Sequence, residues 1–244
     1  MSEASYDRVA LVRGAGHRLA EVGADAPAAA VPRYPGWTVT DLVSHTGRLH
    51  RRTIAVVEQR ATDRLELSPA PRDGLIEWFA DGVDRLAELL ETTDPETPCW
   101  SFAGEPNVGF WVRRMALETD VHRWDAESAV GVPSPIDTLV AADGIDESYH
   151  MWLRAESSDP PDTAGPIAVF DPSDTDGTWT LWATEDGFEL RRERSEAPCT
   201  VTGPAPDIYL AMLGRLHSPL VEEGNIAAFA RWRKAVASMT DAQR

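Results

Sequence analysis

A carboxylate and an imidazole stand four residues apart in the segment 115–127, MALETDVHRWDAE. Residues at this spacing share one face of an α-helix, so Glu118 and His122 are predicted to point the same way. Trp111 and Met115 continue the same stripe and are apolar, which indicates that it faces the interior of a helical bundle. A buried carboxylate and imidazole need polar partners, and a metal ion is one such partner.

A second inward-facing histidine is predicted on another helix. The segment 37–60 has helical periodicity, and His45 falls on its otherwise apolar stripe. Two histidines and one glutamate from two helices form a His₂Glu set, and catalytic zinc sites use three protein ligands and leave one position open. Facing helices of bundles supply such ligands. The candidate metal ligands are therefore His45, Glu118 and His122.

Each part of this set also has a simpler interpretation. Glu118 and His122 alone are a common helix-stabilising pair, and a single histidine on an apolar face is more often a hydrogen-bonded core residue. His50 lies five residues after His45, about 140° round the helix, so these two could not easily bind one ion. Asp125 either orients the His122 ring as an outer carboxylate or forms an ordinary ion pair with a nearby arginine.

The composition limits the kind of protein. With 244 residues, 43% of them hydrophobic, the chain can form one large or two modest packed domains. The net charge of −17 makes nucleic acids and anionic membrane surfaces poor partners. Cys99 and Cys199 form no disulfide framework, and no signal peptide or membrane-spanning run is visible. We therefore expect a cytoplasmic protein.

Two domains are predicted from a change in composition and hydrophobic periodicity along the chain. Residues 1–155 contain amphipathic helices joined by Pro- and Gly-rich loops, which suggests a four-helix bundle and a fifth helix leading onward. The segment 157–166, SSDPPDTAGP, has the composition of a linker. Short segments with β character follow, then a helix near 205–215 and a final amphipathic helix at 225–239. Residues 164–244 are therefore expected to form a small α+β domain.

Three segments of the chain together resemble a known family. GWTVTDLVSHTGRLH at 36–50, MALETDVHRWDAE at 115–127 and VTGPAPDIYLAMLGR at 201–215 are similar to the mycothiol-dependent maleylpyruvate isomerase family. Its members belong to the DinB-like metal-binding bundles. The combination of W-T-x-x-D-L-x-x-H with E-x-x-x-H-R-W-D carries the resemblance, which covers nearly the whole chain. It implies an α+β fold in which a DinB-like four-helix bundle precedes a small α+β C-terminal domain.

The resemblance also implies cofactors and site residues. A divalent metal, usually zinc, would be bound by His45, Glu118 and His122, the trio that the spacing suggests. The nucleophilic thiol would come from mycothiol, a low-molecular-weight thiol, rather than from a protein cysteine. In the family the C-terminal domain contributes a polar or cationic residue, and Arg215 in MLGRLHSP is the best match, with His217 behind it.

The function implied is a metal- and mycothiol-dependent enzyme acting on a small electrophile, as a cis–trans isomerase or an S-transferase. Arg215, or Arg48 at the bundle mouth, would neutralise a substrate carboxylate. Two other hypotheses fit the same residues: a thiol-independent zinc hydrolase with a metal-activated water, and a non-catalytic metal-binding or regulatory bundle. One fold supports many chemistries, so the sequence does not choose among them.

Overall fold

The computed structural model describes residues 6–152, 164–185, 187–215 and 220–224. Two compact units divide the chain, the first ending at Ile136 and the second beginning at Asp137. The boundary expected from the Pro-rich segment at 157–166 lies further along the chain. The difference arises because the fifth helix packs within the second unit, so a break in composition follows the domain boundary rather than marking it.

Four helices form the first unit, as the sequence predicts. Their bounds are α1 (Arg8–Asp25), α2 (Val39–Gln59), α3 (Leu75–Thr92) and α4 (Val108–Ala129). α1 packs mainly against α3 and α4, and α2 packs against the same two helices. α4 is buried on nearly every side along its C-terminal half, where even its charged residues are enclosed. Such a helix must pair its polar groups internally, which makes it the natural element to carry a polar site.

The start of α2 is set by a local hydrogen-bonded cap. The Thr38 side chain accepts from the backbone N–H of Asp41, and the Asp41 carboxylate accepts from the backbone N–H of Thr38 at 2.8 Å. This reciprocal pair satisfies two donors that a helix end leaves free. Because the cap fixes where the helix begins, it also fixes the direction in which His45 points two turns later.

The loop between α1 and α2 folds back on itself. The backbone N–H of Val31 donates to the Trp37 carbonyl, and the N–H of Trp37 donates to the Tyr34 carbonyl, both at 2.9 Å. These bonds hold two aromatic side chains of the loop, Tyr34 and Trp37, against the bundle.

A five-stranded mixed sheet and two helices make up the described part of the second unit. The elements are α5 (Thr138–Trp152), β1 (Gly165–Pro172), β2 (Trp179–Thr184), β3 (Gly187–Arg191), β4 (Cys199–Gly203), α6 (Ala205–Met212) and β5 (Val221–Gly224). The strand order is β3-β2-β1-β4-β5, and only the β1–β4 pair is parallel among these strands. The predicted α+β architecture, a helical bundle followed by a small mixed domain, is confirmed.

Close packing of α5 on α6 explains why the fifth helix belongs to the second unit. A Cβ on Gly144 would lie only 2.3 Å from the Tyr209 ring, so the two helices approach at a glycine. The predicted final helix at 225–239 lies outside the described residues. Across the described ranges, no helix combines the length and the apolar character needed to cross a lipid bilayer.

Candidate metal centre

The structure brings the three predicted ligands together between α2 and α4. His45 comes from α2, while Glu118 and His122 lie one turn apart on α4. One donor atom from each residue lies within 4.8 Å of the other two. The Oε1 atom of Glu118 is 2.9 Å from Nε2 of His122 and 3.9 Å from Nε2 of His45. A single carboxylate oxygen therefore faces both imidazoles.

The spacing of these donor atoms suits a small divalent cation. Nitrogen and oxygen ligands about 2.0–2.1 Å from a tetrahedral zinc ion are about 3.3 Å from one another. The two distances at the Glu118 oxygen, 2.9 and 3.9 Å, lie on either side of that value. The two imidazole nitrogens also lie within 4.8 Å of each other, and three protein ligands would leave a position for an external one.

The site lies at the edge of the bundle core. The side chains of His45 and Glu118 are 22% and 20% exposed, whereas that of His122 is 4% exposed. The apolar stripe on α2 predicts a fully inward His45, but in the structure its side chain is only partly buried. An external ligand can therefore reach the site from the His45 side.

Glu118 is held in its ionised form. Burial alone would raise the pKa of Glu118, but the charges of Arg114 and His122 outweigh this effect and lower the pKa well below its ordinary value. The Arg114 guanidinium donates to Oε2, the oxygen that does not face His122. Arg114 therefore stabilises the carboxylate and leaves Oε1 directed at the histidines.

The pKa values of the two histidines are shifted in opposite directions. Burial lowers the pKa of His45, so its ring is neutral at neutral pH and keeps a lone pair for a metal. Burial also opposes protonation of His122, but the charge of Glu118 and the hydrogen bond to Asp125 raise its pKa above the ordinary value. A proton and a divalent cation would therefore compete for the same nitrogen of His122.

Asp125 lies directly behind the His122 ring. Its Oδ2 is 3.0 Å from Nδ1 of His122, and its side chain is 1% exposed. An outer carboxylate in this position fixes the ring orientation and directs Nε2 toward Glu118. The nearby Arg123 donates to other carboxylates, Asp120 at 2.8 Å and Glu127 at 2.7 Å.

Two aromatic residues that sequence reasoning missed border the site. The Trp37 ring lies 5.3 Å from the His45 ring, and the Tyr34 ring lies 6.1 Å from the His122 ring. Tyr34 and Trp37 also contact each other, with ring centroids 5.0 Å apart. Trp37 is the first residue of the W-T-x-x-D-L-x-x-H pattern, and this was the one indication in the sequence that it lies near the site. The loop conformation that places both rings cannot be predicted from helical periodicity.

His50 lies apart from the trio, as its position on the helix predicts. It is fully buried, stacks on Phe79 at 5.6 Å, and its Nε2 lies 2.9 Å from the Thr119 hydroxyl. It is therefore a core histidine. The two cysteines, Cys99 and Cys199, are buried and unbonded to each other.

Arg215 belongs to the second unit and follows α6. Its side chain is buried, and its Nη1 donates to the Leu213 carbonyl at 3.0 Å. A catalytic role for Arg215 stays a prediction, and His217 lies outside the described residues.

The sequence of the bundle matches a described family. Residues 10–127 fit the family described as the mycothiol maleylpyruvate isomerase N-terminal domain. The match covers most of the helical bundle, so this part of the chain is similar to the N-terminal domain of that family. All three candidate ligands and Asp125 lie inside the matched segment. No curated protein sequence matches the chain significantly.

Solved structures extend the similarity from the bundle to most of the chain. The mycothiol-dependent maleylpyruvate isomerase superposes with a TM-score of 0.61 at 14% identity, covering 88% of this chain and 91% of that chain. A histidine-to-alanine mutant of the mycothiol-dependent maleylpyruvate isomerase gives a TM-score of 0.60 at 13% identity, with the same coverage. At this level of identity the likeness establishes the fold alone.

Proposed function

We propose that the protein is a metal- and mycothiol-dependent enzyme that acts on a small electrophile, as a cis–trans isomerase or an S-transferase. The observation that carries this proposal is the meeting of His45, Glu118 and His122 in a bundle similar to the N-terminal domain of the mycothiol maleylpyruvate isomerase family. A similar solved protein is a mycothiol-dependent maleylpyruvate isomerase, and the proposal extends that chemistry to this chain.

The donor set supports a divalent ion, with zinc the first choice. His45, Glu118 and His122 would bind it, because two imidazoles and a carboxylate are a common set for catalytic zinc. When bound, the ion lowers the pKa of a coordinated thiol and so makes a thiolate available at neutral pH. Arg114 keeps Glu118 ionised, and Asp125 keeps the His122 ring in the orientation that directs Nε2 at the ion.

The burial of the protein's two cysteines favours a nucleophile from outside the protein. Cys99 is buried, and burial raises the pKa of its thiol, so it is protonated and unreactive at neutral pH. Cys199 is buried in the sheet of the second unit. Two buried cysteines are consistent with a nucleophile supplied by a low-molecular-weight thiol. We include this thiol and a reducing cytoplasmic location in the proposal.

Turnover assays test the reaction. Zinc-loaded protein is given maleylpyruvate or the electrophile monobromobimane, with and without mycothiol. We expect turnover only with mycothiol, and a loss of at least about 1,000-fold in a His45→Ala, His122→Ala double variant. A His17→Ala variant is the control, because His17 pairs with Asp84 on the surface, away from the trio.

The products separate the two reaction types. Isomerisation leaves the thiol concentration unchanged, whereas S-transfer consumes one thiol for each electrophile. Zinc-dependent turnover of a substrate without any thiol would contradict the proposal and favour the hydrolase hypothesis.

A further inference from the structure

α2 presents a row of cations beside the candidate metal site. Three arginines follow His45 in a chain whose net charge is −17, at positions 48, 51 and 52. Arg48 and Arg52 lie three and seven residues after His45, so they share its face of the helix. Arg51 points elsewhere, because it donates to Asp81 at 2.6 Å and to the backbone of α3.

Arg52 has an unusual environment for an arginine at this depth. It is half-buried, and its Nε is enclosed without a hydrogen-bond partner. In the described part of the chain no carboxylate forms an ion pair with it, and its close contact is the Trp100 ring, 6.0 Å from the guanidinium carbon. By contrast, the buried Arg114 and Arg123 each donate to a carboxylate.

An unpaired guanidinium in this position is costly. Burial and the neighbouring charge of Arg64 lower the pKa of Arg52, while the more distant charges of Glu118 and Glu66 oppose the shift without forming an ion pair. An arginine keeps its proton at any physiological pH. Partial burial of a charge is unfavourable unless an anion accompanies it. A carboxylate in front of Arg52 would offset that cost through charge-assisted hydrogen bonds.

Arg52 lies within reach of a molecule bound at the trio. Its Cα is about 10 Å along the helix axis from that of His45, since each residue rises about 1.5 Å. Long side chains on a helix lean toward its N-terminus, which here is the direction of His45. Glu118 is among the charges that act on Arg52, and Arg48 is among those that act on His45.

The Trp100 residue that Arg52 contacts is held in place by Trp111. Trp111 Nε1 donates to the Trp100 carbonyl at 2.7 Å, and the two indole rings pack 5.8 Å apart. Arg48 already has a hydrogen-bond partner within the protein, because its Nε donates to the Ser68 carbonyl at 3.0 Å. Arg52 is therefore the cation on this face that is best prepared to receive an anion.

We propose that Arg52, with Arg48 beside it, binds a carboxylate of the substrate while the reacting carbon of that substrate lies at the metal trio. This inference rests on the proposed function and adds a specificity-determining residue, Arg52, which would hold the substrate carboxylate roughly one to two helical turns from the site of attack. Arg52 then selects acids over the corresponding amides and esters.

Equilibrium binding tests this without turnover. Maleate, neutral maleamide and inorganic phosphate are titrated by calorimetry into wild-type protein and three variants, Arg52→Gln, Arg52→Lys and the control Arg85→Gln, at equal zinc content. We expect maleate to bind at least about 10-fold tighter than maleamide. Arg52→Gln should weaken maleate binding about 10-fold or more, and Arg52→Lys should weaken it less. Arg85→Gln should stay within about 2-fold of wild type, because Arg85 is exposed and pairs with Glu58.

Equal maleate affinity in wild type and Arg52→Gln would overturn the proposal, and so would tighter, Arg52-dependent binding of phosphate. A protein that shows Arg52-dependent maleate binding but no mycothiol-dependent turnover would keep the carboxylate site and lose the proposed reaction. Mycothiol-dependent turnover of neutral electrophiles without maleate binding would support the proposed reaction and contradict the carboxylate site.

Discussion

Two histidines of α2, five residues apart, have opposite surroundings. His45 is neutral, partly exposed and next to a carboxylate of α4, whereas His50 is enclosed by Phe79 and Thr119. The helical spacing predicts their separation correctly, since five residues turn the side chain to another face. The chemistry of each imidazole is therefore decided by its face of the helix rather than by its residue type.

His50 gives a prediction for the pH dependence of stability. Burial, with the charges of His122 and Arg51, lowers its pKa to about 3, while Glu118 opposes the shift. The unfolded chain takes up this proton near pH 6.5, so the stabilising contribution is complete above that pH and is lost as the pH falls toward 3. Between pH 7 and pH 5 we expect wild type to lose about 2 kcal/mol more unfolding free energy than His50→Gln.

Urea unfolding at a series of pH values measures this difference. The glutamine keeps a polar group near the Thr119 hydroxyl, so the comparison isolates the titration of the imidazole. Parallel pH profiles for the two proteins would contradict the assignment of His50 as a neutral core residue.

At the scale of elements, local signals predicted most of the fold. The four bundle helices follow from hydrophobic periodicity, and strands β1 to β4 lie in the region predicted to hold short segments with β character. β5 was missed because its sequence, VEEG, has no alternation and forms a strand through pairing with β4. The positions of Tyr34 and Trp37 were missed for a similar reason, since loop hydrogen bonds rather than local propensity place them.

Two glycines of α1 test the packing of this helix on α3. A Cβ on Gly16 would lie 2.6 Å from both methyl carbons of Val83, whereas a Cβ on Gly14 would meet nothing within 4 Å. Val83 is branched at Cβ and cannot rotate away. Gly16→Ala should therefore destabilise the bundle by about 1–2 kcal/mol, and Gly14→Ala should stabilise it by up to about 1 kcal/mol.

Thermal unfolding of the two alanine variants provides the measurement. Both changes are made in one helix, two residues apart, so helix propensity affects them equally. Stabilisation by Gly16→Ala would show that α1 and α3 are not in the close contact described.

At the scale of the molecule, a buried carboxylate joins separate parts of the bundle. Glu127 of α4 accepts from Arg18 of α1 and from Arg123, both at 2.7 Å, and from the backbone N–H of Ser134 at 2.8 Å. Its side chain is 1% exposed. These hydrogen bonds connect α1 and the segment after α4 to α4, the helix that carries Glu118 and His122. They therefore stabilise the helix on which the candidate site is built.

Removal of this carboxylate should destabilise the whole bundle. Glu127→Ala leaves buried donors without their acceptor, and we expect a loss of about 3 kcal/mol in the free energy of unfolding. Glu21→Ala removes the exposed partner of the same Arg18 and should cost less than about 0.5 kcal/mol. Chemical denaturation compares them, and equal effects would contradict a structural role for the buried network.

Zinc binding tests the central claim most directly. Zinc is titrated into metal-stripped protein, and content after desalting is measured by mass spectrometry for wild type, His45→Gln and His50→Gln. We expect about one zinc per chain in wild type and in His50→Gln. In His45→Gln the affinity should fall at least about 100-fold, because a catalytic-type site uses three protein ligands. Negligible zinc in wild type, or full zinc retention in His45→Gln, would contradict the central claim.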